Sequence, residues 1–280
     1  MNRSKLKLGA VPLVFAATFL AGCGEAGEPE VPEAMEPSLE MQVSGDLNIV
    51  PSPLVAPDYP DARVGFDGPS EGATFAPGEP VEVRFHLSGY ELQVPTPGAE
   101  GRGIARADGQ HIHFILNNDR YQALYDPAEP VVLEDLPAGV HVLRAFPGTD
   151  WHESVKTPGA FAMRIIQVGE GEADTPPVDP DGPFLTYSRP VGEYAGQAAD
   201  SILVDFQLTG VRLDPEGYRV RLTVEGVGEA ILTEWRPYLI VGLPDGSHTV
   251  RLELVDPEGR LVPGDFNRTE RVIEVTGAGD

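Results

Sequence analysis

The chain has 280 residues, of which 44 are acidic and 20 basic, for a formal net charge of −24. Such a field repels phosphate backbones, which argues against nucleic acid as a partner, and it attracts cations. A single cysteine excludes any disulfide within the chain, so its domains must be held by apolar burial.

In chain order, Arg3, Lys5 and Lys7 precede an apolar run, Leu8 to Leu20, that is too short to serve as a permanent membrane span. The run ends in Leu20-Ala21-Gly22-Cys23, with small residues before the only cysteine. This pattern resembles the lipobox of bacterial lipoproteins; the alternative is an ordinary secretory signal that happens to contain a cysteine. The resemblance implies cleavage after a signal peptide at 1–22, a diacylglycerol on the Cys23 thiol and an acyl group such as palmitate on the new amine. The membrane is then a partner through the lipid on Cys23, and the location is the bacterial cell envelope. Gly24 stands where the inner-membrane retention signal of enteric bacteria has aspartate, which favours the outer membrane. The mature chain keeps 17 basic residues against 44 acidic ones.

Residues 23–60 form the lipidated cysteine and an acidic, Pro-rich segment without lysine or arginine. Mutual repulsion among its glutamates, with prolines that favour extended backbone, predicts a disordered tether. A similar acidic, Pro-rich linker at 169–183 separates two halves, 61–168 and 184–276, before a tail at 277–280.

The halves repeat each other. Val83-Arg84-Phe85-His86-Leu87-Ser88-Gly89 aligns with Val204-Asp205-Phe206-Gln207-Leu208-Thr209-Gly210, and Leu136 to Arg144 aligns with Leu243 to Arg251. Extra residues in the first half, from Gln93 to Gln110, predict a long loop. Period-2 alternation at Val83, Phe85 and Leu87 predicts a half-buried strand, and further strands are expected at 112–117, 121–125, 161–168, 218–224, 230–233 and 271–275. No long stretch carries a helical period. The fold class is therefore all-β, two tandem immunoglobulin-like β-sandwiches after a disordered tether, with a closed barrel as the alternative.

Four of the six histidines, His111, His113, His141 and His152, fall within 42 residues of the first sandwich. His111 and His113 are two apart on a strand and share a face, with Cα atoms about 7 Å apart, near enough for one metal ion. Aligning Ile112, Phe114 and Leu116 with Val220, Leu222 and Val224 sets these histidines opposite Arg219 and Arg221, which predicts a solvent-accessible face. His141 has a counterpart in His248, which points to a shared structural role, a ring hydrogen-bonded to loop backbone. Trp151-His152-Glu153-Ser154 forms a loop peculiar to the first half, with an aromatic, an imidazole, a carboxylate and a hydroxyl suited to binding, or else a capped edge.

The stretches from Gly109 to Ile115, Tyr121 to Tyr125, Gly139 to Pro147 and Trp151 to Ser154 resemble a family of uncharacterised bacterial envelope proteins. The resemblance covers the first sandwich only; it implies an immunoglobulin-like module in which the histidine strand and the Trp-His-Glu-Ser loop act as one unit, and it supplies no activity. No nucleophile elbow, phosphate loop, His-Glu-x-x-His or dinucleotide fingerprint is present in the sequence. The expected function is a membrane-anchored, non-enzymatic binding or structural module, with His111, His113, Trp151, His152 and Glu153 as candidate ligand contacts and an envelope protein or glycan as partner. The alternative is a copper or zinc site on His111 and His113 with His152 or His141 as a third ligand; a second alternative is an enzyme of unknown class using the same cluster.

Overall fold

The computed structural model describes residues 41–99, 108–118, 120–170, 179 and 182–277. The signal peptide, Cys23, the tether before residue 41 and the middle of the 169–183 linker lie outside the described residues, as does part of the 93–110 loop. Among the described residues no helix is long and apolar enough to cross a membrane.

Ahead of the first half run β1 (Gln42–Gly45) and β2 (Ile49–Pro51), and its own strands are β3 (Arg63–Gly68), β4 (Thr74–Phe75), β5 (Val81–Ser88), β6 (His111–Leu116), β7 (Arg120–Leu124), β8 (Val131–Leu133), β9 (Gly139–Gly148) and β10 (Ala162–Val168). Those of the second half are β11 (Phe184–Arg189), β12 (Gly192–Ala195), β13 (Ser201–Thr209), β14 (Arg219–Val224), β15 (Gly228–Leu232), β16 (Tyr238–Val241), β17 (Gly246–Val255) and β18 (Arg268–Thr276). They form two sandwiches rather than a closed barrel. The first stacks β4-β10-β9-β6-β7 on β3-β5-β8; the second stacks β1-β15-β14-β17-β18-β12 on β11-β13-β16-β2.

The expected alternation is met where only one face is covered. In β5, Val81, Val83 and Phe85 are buried and Glu82, Arg84 and His86 exposed, and in β14 Val220, Leu222 and Val224 point inward. One core joins Val83, Phe85, Phe114 and Leu143; the other joins Phe206, Leu222, Leu252 and Ile273.

One boundary is corrected. Residues up to 60 were expected in the tether, yet β1 pairs with β15 and β2 with β16, and Leu47 and Ile49 enter the second core. The two strands take edges of the second sandwich that would otherwise be open. The segment then returns to the first sandwich, where Ala56 N–H donates to Glu153 Oε2 (2.8 Å) and Tyr59 packs edge-on against Tyr90.

The sandwiches are joined along a seam. Strands β6 and β11 are buried along their whole length, and β9 at every residue but Val140, because the outer face of β6-β9-β10 lies on the outer face of β11-β13. Val142, Phe161, Met163 and Ile165 of the first sandwich pack there with Phe184 and Phe266 of the second. Between those two phenylalanine rings sits the fully buried Arg144, its guanidinium carbon 4.6 Å from the Phe266 centroid and 5.6 Å from that of Phe184. Its head group donates to Asn117 O and to Thr186 Oγ1, and burial lowers its pKa to about 9, so it remains a cation at neutral pH.

Candidate metal centre

The repeat aligns His111 and His113 with Arg219 and Arg221, and the two pairs meet opposite fates. The arginines are partly exposed on the outer face of β14, where Arg221 reaches Glu229 and Glu253. His111 and His113 are both fully buried, which corrects the expectation of an accessible face. The outer face of β6 is the one the second sandwich covers, and no alignment of the halves to each other can reveal that.

Around the histidines the geometry is closely set. The rings of His111 and His113 stack at 4.7 Å with an interplanar angle of 16°, as same-face residues two apart on a strand must. His152 arrives from the turn after β9, where its N–H donates to Thr149 O (2.9 Å) and its backbone takes φ +66°. That left-handed conformation is costly for a non-glycine residue, by an order of about 1 kcal/mol, and it delivers the imidazole back over β6. One nitrogen from each of His111, His113 and His152 lies within 4.8 Å of the other two.

The second nitrogens decide which lone pairs face inward. His111 Nδ1–H donates to Gly109 O (3.1 Å), which leaves its Nε2 as an acceptor. That Nε2 lies 2.9 Å from His152 Nδ1, so His152 carries the shared proton in the metal-free chain. His113 Nδ1 meets Ser188 Oγ of β11 at 3.2 Å, and its Nε2 is buried with no hydrogen-bond partner. A Cβ at Gly148 would fall 2.1 Å from that Nε2, so only glycine leaves room there. Burial, then the neighbouring His111 and the positive charge of Arg189, hold His113 well below the ordinary histidine pKa. It is therefore neutral, the form that ligates metals.

Aromatic rings wall the site: Tyr125 lies 5.0 Å from His111, and Tyr121 and Phe146 lie 5.2 Å and 5.0 Å from His113. Burial pushes the Tyr121 phenol up to about 12, and Arg189 stacks over its ring at 4.3 Å. The Arg189 charge opposes a cation, so any ion held here would depend on coordinate bonds to nitrogen. An all-imidazole donor set suits zinc and copper and does not suit calcium or magnesium, which take oxygen ligands.

The other expected residues fall elsewhere. His141 Nε2–H donates to Pro137 O (2.9 Å) and its Nδ1 accepts from Asn117 Nδ2 (3.1 Å), so both nitrogens are occupied and it is not a third ligand. His248 makes the matching bond to Pro244 O (2.7 Å), the structural role expected of the pair. Trp151 and Glu153 do not turn to the histidines: Trp151 Nε1–H and Ala56 N–H both donate to Glu153 Oε2, which locks the loop to the incoming segment. Burial raises the Glu153 pKa against the pull of Lys156 and these two donors. Sequence reasoning missed Ser188, Asp205 and Gln207. The only trace was that Asp205 and Gln207, polar, alternate with Val204, Phe206 and Leu208, which reads as a solvated face.

No family model and no curated protein matches the chain. Among solved structures, the chain is similar to the fibronectin(III)-like modules of CbhA from Clostridium thermocellum, at 14% identity over 76% of this chain and 95% of that one, with a TM-score of 0.26. It is also similar to the central fibronectin-III array of RIM-binding protein, at 12% identity over 81% and 74% of the two chains and a TM-score of 0.24. A third is SGBP-B of a Bacteroides ovatus mixed-linkage glucan utilization locus, in complex with a mixed-linkage heptasaccharide, at 11% identity over 84% and 48% and a TM-score of 0.21.

Proposed function

We infer that the chain is a non-enzymatic envelope protein, anchored through lipid on Cys23, whose joined sandwiches hold one zinc or copper ion between His111, His113 and His152. The observation that carries this reading is the convergence of three imidazole nitrogens within 4.8 Å around a buried, unpartnered His113 Nε2. Tetrahedral zinc with bonds of about 2.0–2.1 Å holds its nitrogens roughly 3.3 Å apart, so the 2.9 Å contact between His111 and His152 need open by only a few tenths of an ångström. Two of the three rings are buried and the third is partly exposed, a setting suited to retaining an ion rather than to admitting a bulky substrate.

Calorimetric titration of the full chain in detergent with zinc and with copper(II) tests the reading: one equivalent should bind, and His111→Ala and His113→Ala should each abolish it. Equal weak binding by all three proteins would refute the metal site. The anchor has its own test, in that Cys23→Ser should move the chain from the membrane to the soluble fraction; retention on the membrane would overturn lipid anchoring.

A further inference from the structure

The three proposed ligands belong to the first sandwich, but the groups that aim two of them belong to the second. Ser188, on the seam-facing row of β11, meets His113 Nδ1 at 3.2 Å, and both residues are fully buried. If His113 ligates through Nε2, its Nδ1 must carry the proton, and Ser188 Oγ is the acceptor in place to hold that tautomer. The loop that carries His152 is fixed two residues later. Ser154 N–H donates to Asp205 Oδ2 (3.1 Å), Lys156 Nζ donates to Asp205 Oδ1 (2.6 Å), and Gln207 Nε2 donates to Val155 O (2.7 Å). Asp205 and Gln207 sit on the seam-facing row of β13 and are buried.

We propose that docking of the second sandwich onto the first orients the metal ligands, with Ser188 positioning His113 and with Asp205 and Gln207 positioning the His152 loop, so that metal occupancy and closure of the seam reinforce each other. This rests on the metal reading above. The reinforcement is required to be mutual: if closing the seam raises affinity for the ion, the ion must tighten the seam by the same factor. A metal bound only by the first sandwich, with the second as an inert neighbour, would show neither effect.

The experiment uses the full chain in detergent. Zinc affinity is measured by calorimetry for the unaltered protein, for Ser188→Ala and for Gln207→Ala, and amide hydrogen exchange is followed in the unaltered protein with and without zinc. The coupling predicts that each substitution weakens zinc binding about 10- to 100-fold, and that for Ser188→Ala, which removes a single hydroxyl, the metal-free thermal midpoint stays close to that of the unaltered chain. It also predicts that Ser188→Ala splits the copper(II) electron paramagnetic resonance spectrum into more than one species, as His113 loses its fixed tautomer. In the unaltered chain, zinc should slow exchange in Phe184–Arg189 and Ser201–Thr209 as well as in the strands that bear the histidines.

Unchanged affinity in both variants, or zinc protection confined to 111–113 and 149–154, would overturn the coupling while leaving the metal site in place. An unaltered chain that binds neither zinc nor copper would overturn both. The exchange measurement needs no substitution, so it decides the matter even if a variant fails to fold.

Discussion

Replacing Asp205 by alanine tests whether the seam is a built interface. Its carboxylate is fully buried, lies 2.6 Å from the Lys156 ammonium and accepts Ser154 N–H. Breaking a buried pair by removing one partner costs about 3–5 kcal/mol, against roughly 0–1 kcal/mol for an exposed pair. Lys156 would keep Ser154 O and Oγ as acceptors and is 15% exposed, which places the ammonium's share at the lower end of that range. The orphaned Ser154 N–H adds about 1 kcal/mol. Asp205→Ala should therefore cost about 3–4 kcal/mol, whereas Asp205→Val with Lys156→Met, which removes both charges and keeps much of the volume, should return to within about 1 kcal/mol of the parent. Urea unfolding followed by the fluorescence of Trp151 and Trp235 gives all the required free energies, one tryptophan reporting on each sandwich. A cost below 1 kcal/mol for Asp205→Ala, or a double variant that loses the sum of the single losses, would refute a buried, coupled pair. Two separate transitions in the parent would refute the seam itself.

Further outcomes follow from the histidines. His152→Gly should nearly abolish zinc binding yet leave metal-free stability within about 1 kcal/mol of the parent, because relief of the φ +66° backbone offsets the lost hydrogen bond to His111; a loss above about 3 kcal/mol in urea unfolding would contradict the strained turn. With chelator present, stability should fall with acid below about pH 6.5, since the unfolded chain takes up a proton at His113 that the folded chain refuses. The slope should approach about 1.4 kcal/mol per pH unit until the depressed folded pKa is reached, and His113→Phe should remove most of it. A parent and variant with the same pH profile would show that His113 titrates normally.

The repeat, the alternation in β5 and β14 and the absence of helical period were enough to read two sandwiches, because side-chain alternation follows directly from which face meets a core. The shared role of His141 and His248 was legible for the same reason, as the repeat preserves the local loop each ring bonds. The nearness of His111 to His113 followed from strand geometry alone. Where the outer faces lie was not legible. Arg84, Asp205, His111 and Arg221 all occupy outward positions, and composition alone reads all four as solvated.

By itself, the sequence determined the class of fold and the strand pairs that repeat, and with its one cysteine it left histidine and carboxylate as the ligands open to a metal. The tertiary structure decided which outward faces meet each other. The face of β6 and β9 turned out to lie on that of β11 and β13, and this burial neutralises His113, brings Ser188 to its ring and holds the loop that returns His152. Such contacts depend on the relative placement of two domains far apart in the chain. Local periodicity carries no information about that placement.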